Sequence, residues 1–201
     1  MIVVVDYGMG NLGSIENMLK KIGIQPIVSN DSEVISSASK LILPGVGSFD
    51  KAMERINTSK LKLVLDNHAL VDKKPILGIC LGMQLLTRKS DEGKLPGLGW
   101  IDADTLRFPE INQLKIPHMG WNEVKINSVS PLTKNLPSMS KFYFVHSYRV
   151  KVDYDKLSIL KCQYGIEFDA AIQHENIFGA QFHPEKSHRY GMQFLRNFIE
   201  L

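Results

Sequence analysis

The chain has 201 residues, of which 44% are hydrophobic and 22% charged, enough to bury a large core and to form a single domain over residues 1–201. Its formal net charge is only +3, with both signs interspersed, a balance that disfavours a nucleic-acid partner. Its two cysteines exclude a disulfide framework, and the sequence has neither a signal-like N-terminus nor the ~18-residue apolar run that spans a bilayer. We therefore expect a cytoplasmic protein with no membrane association.

The first half of the chain alternates short apolar runs with helical patterns. The β-branched run "IVVVD" (Ile2–Asp6) predicts a strand covered on both faces, and "QPIVS", "KLILPGVGSF" and "KPILGIC" predict three more. Between them, "NLGSIENMLKKIG" has apolar residues at helical spacing, and "NDSEVISSAS" predicts a short second helix. Repeated strand–helix–strand units predict a parallel sheet with helices on both faces.

After about Gly97 the strand-like segments follow one another closely. They are "IPHMGWNEVKI", "KFYFVHSYRV", "LSILKCQY" and "EFDAAIQHENIFGAQF", and the last one indicates two strands joined at residues 174–176. Ser187 then starts a final amphipathic helix. The predicted fold class is therefore α/β, with a flavodoxin-like, mostly parallel sheet and an antiparallel β extension in the second half.

Cys80 stands in "PILGICLGMQLL", between the fourth predicted strand and a helix-like run. The small residues Gly78 and Gly82 indicate a sharp strand-to-helix turn, where the backbone is crowded. In such a turn the sulfur projects above the carboxyl end of a parallel sheet, the helix N-terminus favours the thiolate, and the N–H of Leu81 can meet an oxyanion. The pattern favours a nucleophile at Cys80, whereas Cys162, in an apolar strand, is expected to be inert core.

A thiol nucleophile needs a base, and "FGAQFHPEKS" singles out His183 among the six histidines. Pro184 ends the preceding strand, and Glu185 shares a side with His183 in an extended segment, so Glu185 can orient the imidazole toward Cys80. No Cys/His grouping has zinc-ligand spacing, so no metal is expected. The remaining histidines are expected to be solvated in two cases, His68 and His188, and packed or in turns in the others, His118, His146 and His174.

Two glycine-rich segments leave alternatives open. In "LPGVGSF", Gly45 and Gly47 permit a backbone that points N–H groups into a cavity, as a second oxyanion donor, but an ordinary turn is equally compatible. "GMGNLG" (Gly8–Gly13) matches a dinucleotide fingerprint after a strand, with Asp31 about 20 residues further on. A nucleotide-binding module is therefore an alternative, although it leaves the Cys/His/Glu set unexplained.

Taken together, "GICLGMQLL", "PGVGSF" and "FHPEKS" resemble class I glutamine amidotransferases, and the resemblance covers nearly the whole chain. "DYGMGNLGS", "HMGWN" and "YFVHSY" narrow it to the glutaminase subunits of imidazole glycerol phosphate synthase, in histidine biosynthesis. The resemblance implies a glutaminase that needs no cofactor and hydrolyses L-glutamine through a cysteinyl thioester. It also implies a heterodimer with a separate (β/α)8-barrel cyclase, which activates the glutaminase and receives its ammonia.

The resemblance also implies a role for individual residues. The implied catalytic set is Cys80 as nucleophile, His183 as base and Glu185 as its orienter. The implied oxyanion hole is backbone at Leu81 and at Val46 or Gly47, where related enzymes turn one amide away until the partner is ready. The implied glutamine-binding residues are Gly45, Gln84, Ser147 and Tyr148. The implied docking residues are Asn11, Met119, Trp121, Asn122 and Lys186.

One segment departs from the expected pattern. "SDEGKLPGLGWIDADTLRF" contains Trp100 and an acidic "IDAD" where a more aliphatic run is expected. This segment is more similar to paralogues that supply ammonia for amination or amidination of a surface-polysaccharide sugar, which leaves the acceptor open. A cysteine peptidase or deglycase-like relative of the same fold, acting without a partner, is a further alternative.

Overall fold

The computed structural model describes residues 1–58, 60–111 and 114–201. In chain order the strands are β1 (Ile2–Val5), β2 (Ile27–Ser29), β3 (Lys40–Gly45), β4 (Ile76–Cys80), β5 (Ala103–Arg107), β6 (His118–Ile126), β7 (Met139–His146), β8 (Tyr148–Val152), β9 (Ser158–Tyr164), β10 (Ile166–His174) and β11 (Ile177–Ala180). The α-helices are α1 (Leu12–Lys21), α2 (Ser32–Ser36), α3 (Phe49–Thr58), α4 (Leu61–Asp66), α5 (Leu81–Leu85) and α6 (His188–Ile199).

Nine of these strands form one mixed sheet in the order β2-β1-β3-β4-β11-β10-β9-β6-β7. The first five are parallel to one another, and β10, β9, β6 and β7 continue the sheet in antiparallel pairs. A second sheet contains β5 and β8, which are antiparallel. The predicted α/β class, with a mostly parallel part and an antiparallel extension, is confirmed.

Two apolar layers cover the parallel strands, one on each face. Successive side chains of a strand point to opposite faces, so Val3 and Val5 of β1 pack in one layer and Val4 in the other. All four residues of β1 are therefore buried, which explains why the sequence shows an unbroken β-branched run instead of an alternating one.

Helices complete both layers. In α1 the buried residues Ile15 and Leu19 follow the predicted spacing, and α6, which begins after Ser187, buries Phe194 and Phe198 as expected. Across the three described ranges, none of the helices has both the length and the apolar composition that a bilayer span requires.

Several elements differ from the sequence-based expectations. The run "KFYFVHSYRV" divides at Ser147 into β7 and β8, which enter different sheets. The helix after Cys80 ends at Leu85, because the backbone N–H groups of Arg88 and Asp91 donate to carbonyls of β5 instead of continuing the helix. The expectations contained neither β5 nor the helices α3 and α4.

Candidate active site

Cys80 is the last residue of β4, and α5 begins at the next residue, Leu81. Cys80 has φ 54° and ψ −109°, a conformation that L-residues rarely adopt and that indicates local strain. The turn is tight: a Cβ on Gly78 would lie 2.5 Å from the Gly82 carbonyl oxygen, and a Cβ on Gly82 would overlap the Leu43 carbonyl oxygen. The predicted strand-to-helix turn, with glycines required on both sides, is therefore confirmed.

The Cys80 turn opens into a cavity of about 350 Å³ at the carboxyl end of the parallel strands. Cys80 itself is only 7% exposed, so the cavity is the route by which a small molecule can reach its sulfur. The lining residues are Val46, Gly47, Cys80, Leu81, Gln84, Glu92, Pro117, Val145, His146, Ser147, Tyr148 and His183. The structure thus brings together most of the residues that the sequence indicated.

His183 reaches this cavity because β11 pairs in parallel with β4, with Ala180 opposite Ile79. Its Nδ1 lies 2.7 Å from Glu185 Oε1, and both side chains are almost completely buried. Nδ1 is thereby occupied, and within the described ranges Nε2 has no hydrogen-bond partner of good geometry. Nε2 is therefore the ring nitrogen that can exchange a proton with Cys80.

The environment of His183 acts on its pKa in two directions. Burial alone lowers this pKa, but the neighbouring Cys80 sulfur and the hydrogen-bonded Glu185 outweigh burial and raise it well above the usual histidine value. The site therefore favours a protonated imidazole beside the Cys80 sulfur, the neighbour that activates a thiol nucleophile.

The loop after β3 contributes backbone to the wall of the cavity. Gly47 has φ +105°, a conformation suited to glycine, and both Val46 and Gly47 line the cavity. Gly45 lies outside the lining, at the end of β3, where it is paired with Cys80. A Cβ on Gly45 would lie 2.9 Å from the Leu81 Cβ. Gly45 is therefore packed against the start of α5.

Gln84 lines the cavity with both amide hydrogens already engaged. Its Nε2 donates to the Tyr148 carbonyl (3.3 Å) and to Gln181 Oε1 (3.1 Å). Since an amide nitrogen carries two hydrogens, only Oε1 of Gln84 remains for a bound molecule. Gln181 is fully buried, and its Nε2 lies 3.9 Å from Cys80 Sγ.

Sequence reasoning missed the buried Gln181 and four residues of the lining: Glu92, Pro117, Val145 and His146. Glu92 is the only acidic residue among the described residues that line the cavity. Burial raises its pKa, the Phe49 N–H hydrogen bond opposes this, and Asp50 adds to it. Glu92 and His146 carried no local signal, whereas Gln181 stands two residues before His183 in a buried run and was readable by spacing.

The burial and contacts of the other cysteine and of four other histidines can be compared with the expectations. Cys162 is buried, as expected, and burial raises its pKa to about 12. His68 was expected to be solvated, which is wrong: it is 2% exposed, and its Nε2 lies 3.2 Å from the Pro75 carbonyl oxygen. His118 and His146 are buried, and His188 is exposed, with its ring stacked on Trp121.

The residues expected at a docking face do not all share one environment. Met119 and Trp121 of β6 are 62% and 47% exposed, and Lys186 lies with its Nζ 5.7 Å from the centre of the Tyr143 ring. Asn122 contacts His118 and the Gln163 carbonyl through its amide nitrogen. Asn11 accepts the Ser14 N–H at the start of α1.

The glycine-rich loop after β1 is used differently from a phosphate cradle. The Arg55 guanidinium donates to the carbonyl oxygens of Tyr7 and Gly8 and occupies the space next to Gly8. Asp31 accepts the Glu33 N–H at 2.7 Å and caps α2. Both features of the dinucleotide fingerprint thus serve the fold.

Trp100, in the segment that departs from the expected pattern, also serves the fold. It is 5% exposed, and its Nε1 donates to Asp66 Oδ1 at 2.9 Å. The indole packs against the end of α4 and is absent from the cavity lining. Nothing in these contacts favours a sugar acceptor.

An α/β sheet that presents a cysteine on a strained strand-to-helix turn, beside a carboxylate-bonded histidine, defines a thiol-dependent class of acyl-transfer enzymes. The model of the family "Glutamine amidotransferase class-I" matches residues 3–201. The chain belongs to this family.

Curated relatives match over the full length. A protein of Methanococcus maripaludis named imidazole glycerol phosphate synthase subunit HisH 2 is 52% identical over 200 residues, covering 100% of this chain and 99% of the relative. A Pseudomonas aeruginosa protein of the same name is 50% identical over 202 residues, covering 100% of both. The solved structure of PurLQS from Thermotoga maritima has a TM-score of 0.77 at 19% identity, covering 99% of this chain and 97% of that one, a likeness of fold alone.

Proposed function

We propose that this chain is the glutaminase subunit of imidazole glycerol phosphate synthase. It hydrolyses L-glutamine to glutamate and ammonia and passes the ammonia to a cyclase subunit in histidine biosynthesis. The observation that carries the chemistry is the meeting of Cys80 and His183 in one cavity, with Glu185 bonded behind the imidazole. The full-length relatives support the pathway, and the family match over residues 3–201 supports a single glutamine amidotransferase domain.

The first half-reaction forms a thioester. The Cys80 sulfur attacks the side-chain amide carbon of glutamine, and the amide oxygen becomes an oxyanion. The N–H groups of Leu81 and of the Val46–Gly47 loop stabilise this charge, because both segments line the cavity. His183 Nε2 gives its proton to the amide nitrogen, the carbon–nitrogen bond breaks, and ammonia leaves.

The second half-reaction releases glutamate. His183, now neutral, takes a proton from water, and the hydroxide oxygen attacks the thioester carbon. The same oxyanion donors act again, the carbon–sulfur bond breaks, and the Cys80 thiolate is restored beside a protonated His183. Glu185 holds the imidazole in one tautomer throughout, since its carboxylate accepts from Nδ1 at 2.7 Å.

The amino-acid end of glutamine binds at the other side of the cavity. Glu92 offers a carboxylate to the α-ammonium group, and Gln84 offers Oε1 as a further acceptor. Backbone at Ser147 and Tyr148 lines the same wall and supplies N–H groups to the α-carboxylate. An internal glutamine of a peptide has neither charged group, so this arrangement favours the free amino acid.

The partner in this proposal is a cyclase of the (β/α)8-barrel type, bound as a heterodimer. Exposed Met119 and Trp121, together with Lys186, support a docking face on β6 and the turn after β11, with Asn11 and Asn122 contributing polar groups. The compartment is the cytoplasm, where two unpaired cysteines persist. We expect the isolated chain to hydrolyse glutamine slowly and the cyclase to accelerate it; equal rates with and without the cyclase would contradict this gating.

Substitution of the two cysteines tests the proposed chemistry. Cys80→Ala should abolish glutamine hydrolysis and leave folding intact, whereas Cys162→Ala should retain hydrolysis. An electrophilic glutamine analogue should label Cys80 and leave Cys162 unmodified, which peptide mapping measures. Hydrolysis by Cys80→Ala at the rate of the unmodified protein would refute the assignment.

A further inference from the structure

Two buried histidines contact each other at the cavity, His146 in its lining and His118 behind it, and the proposed reaction uses neither of them. His118 in β6 and His146 in β7 are 2% and 6% exposed, and His118 Nδ1 lies 2.9 Å from His146 Nε2. His146 Nδ1 lies 2.7 Å from the Tyr148 carbonyl oxygen. On the far side, Asn122 Nδ2 lies 3.3 Å from His118 Nε2.

These contacts allow one direction of hydrogen bonding. The Tyr148 carbonyl can only accept, so His146 Nδ1 carries a proton and His146 Nε2 accepts from His118 Nδ1. His118 Nε2 then accepts from the Asn122 amide. Burial lowers the pKa of both histidines, so both imidazoles are neutral and each has a single tautomer.

The His118 ring is held in place by aromatic neighbours. It stacks on Phe144, with ring centroids 4.8 Å apart, and on Tyr164, with centroids 3.9 Å apart, both with planes 23° from parallel. A ring clamped between two faces cannot rotate without displacing a neighbour. The packing on both faces therefore holds His118 Nδ1 toward His146.

The same chain of hydrogen bonds continues into the cavity. The Tyr148 carbonyl accepts a second hydrogen bond from Gln84 Nε2 at 3.3 Å, and Gln84 donates its other hydrogen to Gln181. Gln181 Nε2 reaches Cys80 Sγ at 3.9 Å. The orientation of the Tyr148 carbonyl thus determines where Gln84 Oε1 and the adjoining backbone face a bound molecule.

We propose that His118 is a positioning residue for glutamine binding, which acts through His146 on the Tyr148 carbonyl and, through that carbonyl, on Gln84. His118 is absent from the cavity lining and touches no reacting atom. This role rests on the proposed glutaminase function, because the ligand that Gln84 meets in the cavity is glutamine.

A pair of substitutions that differ by one methylene tests the role. His118→Asn places its amide where Nδ1 stands and keeps a donor to His146, whereas His118→Gln reaches only the Nε2 position and leaves His146 without a donor. We measure kcat and KM for glutamine in the isolated chain, where slow chemistry makes KM report binding. We expect KM to rise about tenfold in His118→Gln, as loss of one buried hydrogen bond implies, and to stay within about threefold in His118→Asn, with kcat unchanged in both.

His118→Phe is a second variant, which keeps a ring between Phe144 and Tyr164 and removes both polar atoms; it should match His118→Gln. Phe108→Leu is the control, because Phe108 packs on both histidine rings without bonding to them, and it should lower stability with KM unchanged. Unchanged KM in both His118→Gln and His118→Phe overturns the role, as does an equal rise in Phe108→Leu. Absence of hydrolysis by the unmodified chain, both alone and with the cyclase, overturns the glutaminase function itself and this role with it.

Discussion

The strained backbone at Cys80 makes an unusual stability prediction. At φ 54° and ψ −109° the residue lies near the conformation of the first central residue of a type II′ turn, a position dominated by glycine. Such strain in an L-residue amounts to about 1–3 kcal/mol. Cys80→Ala and Cys80→Gly both remove the sulfur, so the difference between them isolates the Cβ.

The expected difference follows from two opposing contributions. Removing the Cβ relieves the strain, while the greater freedom of glycine in the unfolded chain opposes this by about 0.4–1 kcal/mol. Cys80→Gly should therefore be more stable than Cys80→Ala by about 1 kcal/mol, or about 2–4 °C in Tm for a chain of this length. Thermal and denaturant unfolding of the two variants measure the difference, and neither variant should hydrolyse glutamine.

Cys162 provides the matched control for this comparison. It is buried in β9 and is absent from the residues with positive φ. Cys162→Gly should therefore be less stable than Cys162→Ala by about 1 kcal/mol, the usual sign for glycine in a strand. If Cys80→Gly is also less stable than Cys80→Ala, the turn stores no strain and the reasoning fails.

Two further predictions concern binding and pH. Glu92→Gln should raise KM for glutamine about tenfold or more with kcat nearly unchanged, because a charge-assisted hydrogen bond contributes about 1.5–3 kcal/mol; a loss confined to kcat would contradict this role. Burial holds the pKa of His118 near 4 and of His146 near 3, below the unfolded value of about 6.5. In acid the unfolded chain binds protons that the folded chain does not, so stability is complete above about pH 6.5 and falls below it by about 1.4 kcal/mol per pH unit for each histidine. Unfolding of His118→Asn between pH 7 and pH 5 should show a shallower fall, and an identical slope would contradict the assignment.

The parallel half of the fold was predictable because its signals are local. Unbroken apolar runs indicate strands buried on both faces, and β1, β3 and β4 fit that pattern. The helix α3 was readable too, since its buried residues Phe49, Ala52, Met53 and Ile56 have helical spacing. The strand β5 was not, because "ADTLR" contains charged residues and becomes a strand only by pairing with β8.

The residues of the candidate site also divide into those with a local sequence signal and those without one. Cys80 and His183 stand in short motifs in which glycine or proline neighbours indicate a turn or the end of a strand. The sequence therefore indicates both residues. Glu92 is followed by Gly93, but this neighbour indicates only a loop, and the place of Glu92 in the cavity depends on how that loop folds. The expectation for His68 failed for a related reason: its partner is the carbonyl of Pro75, just before β4, a contact that helical periodicity does not report.

The register between β4 and β11 is what joins the two halves of the site. The parallel pairing sets Ile79 opposite Ala180, so the chain leaves β11 beside Cys80 and His183 follows a few residues on. A slip of one residue would exchange Ile177 and Phe178 between the two apolar layers, to which they belong separately. A slip of two would preserve the layers but move His183 by about 6–7 Å along the strand, beyond reach of the sulfur. The burial pattern opposes the first slip, and the tight β10–β11 connection, with Ala171 opposite Ala180, opposes the second, so the core fixes the distance on which the chemistry depends.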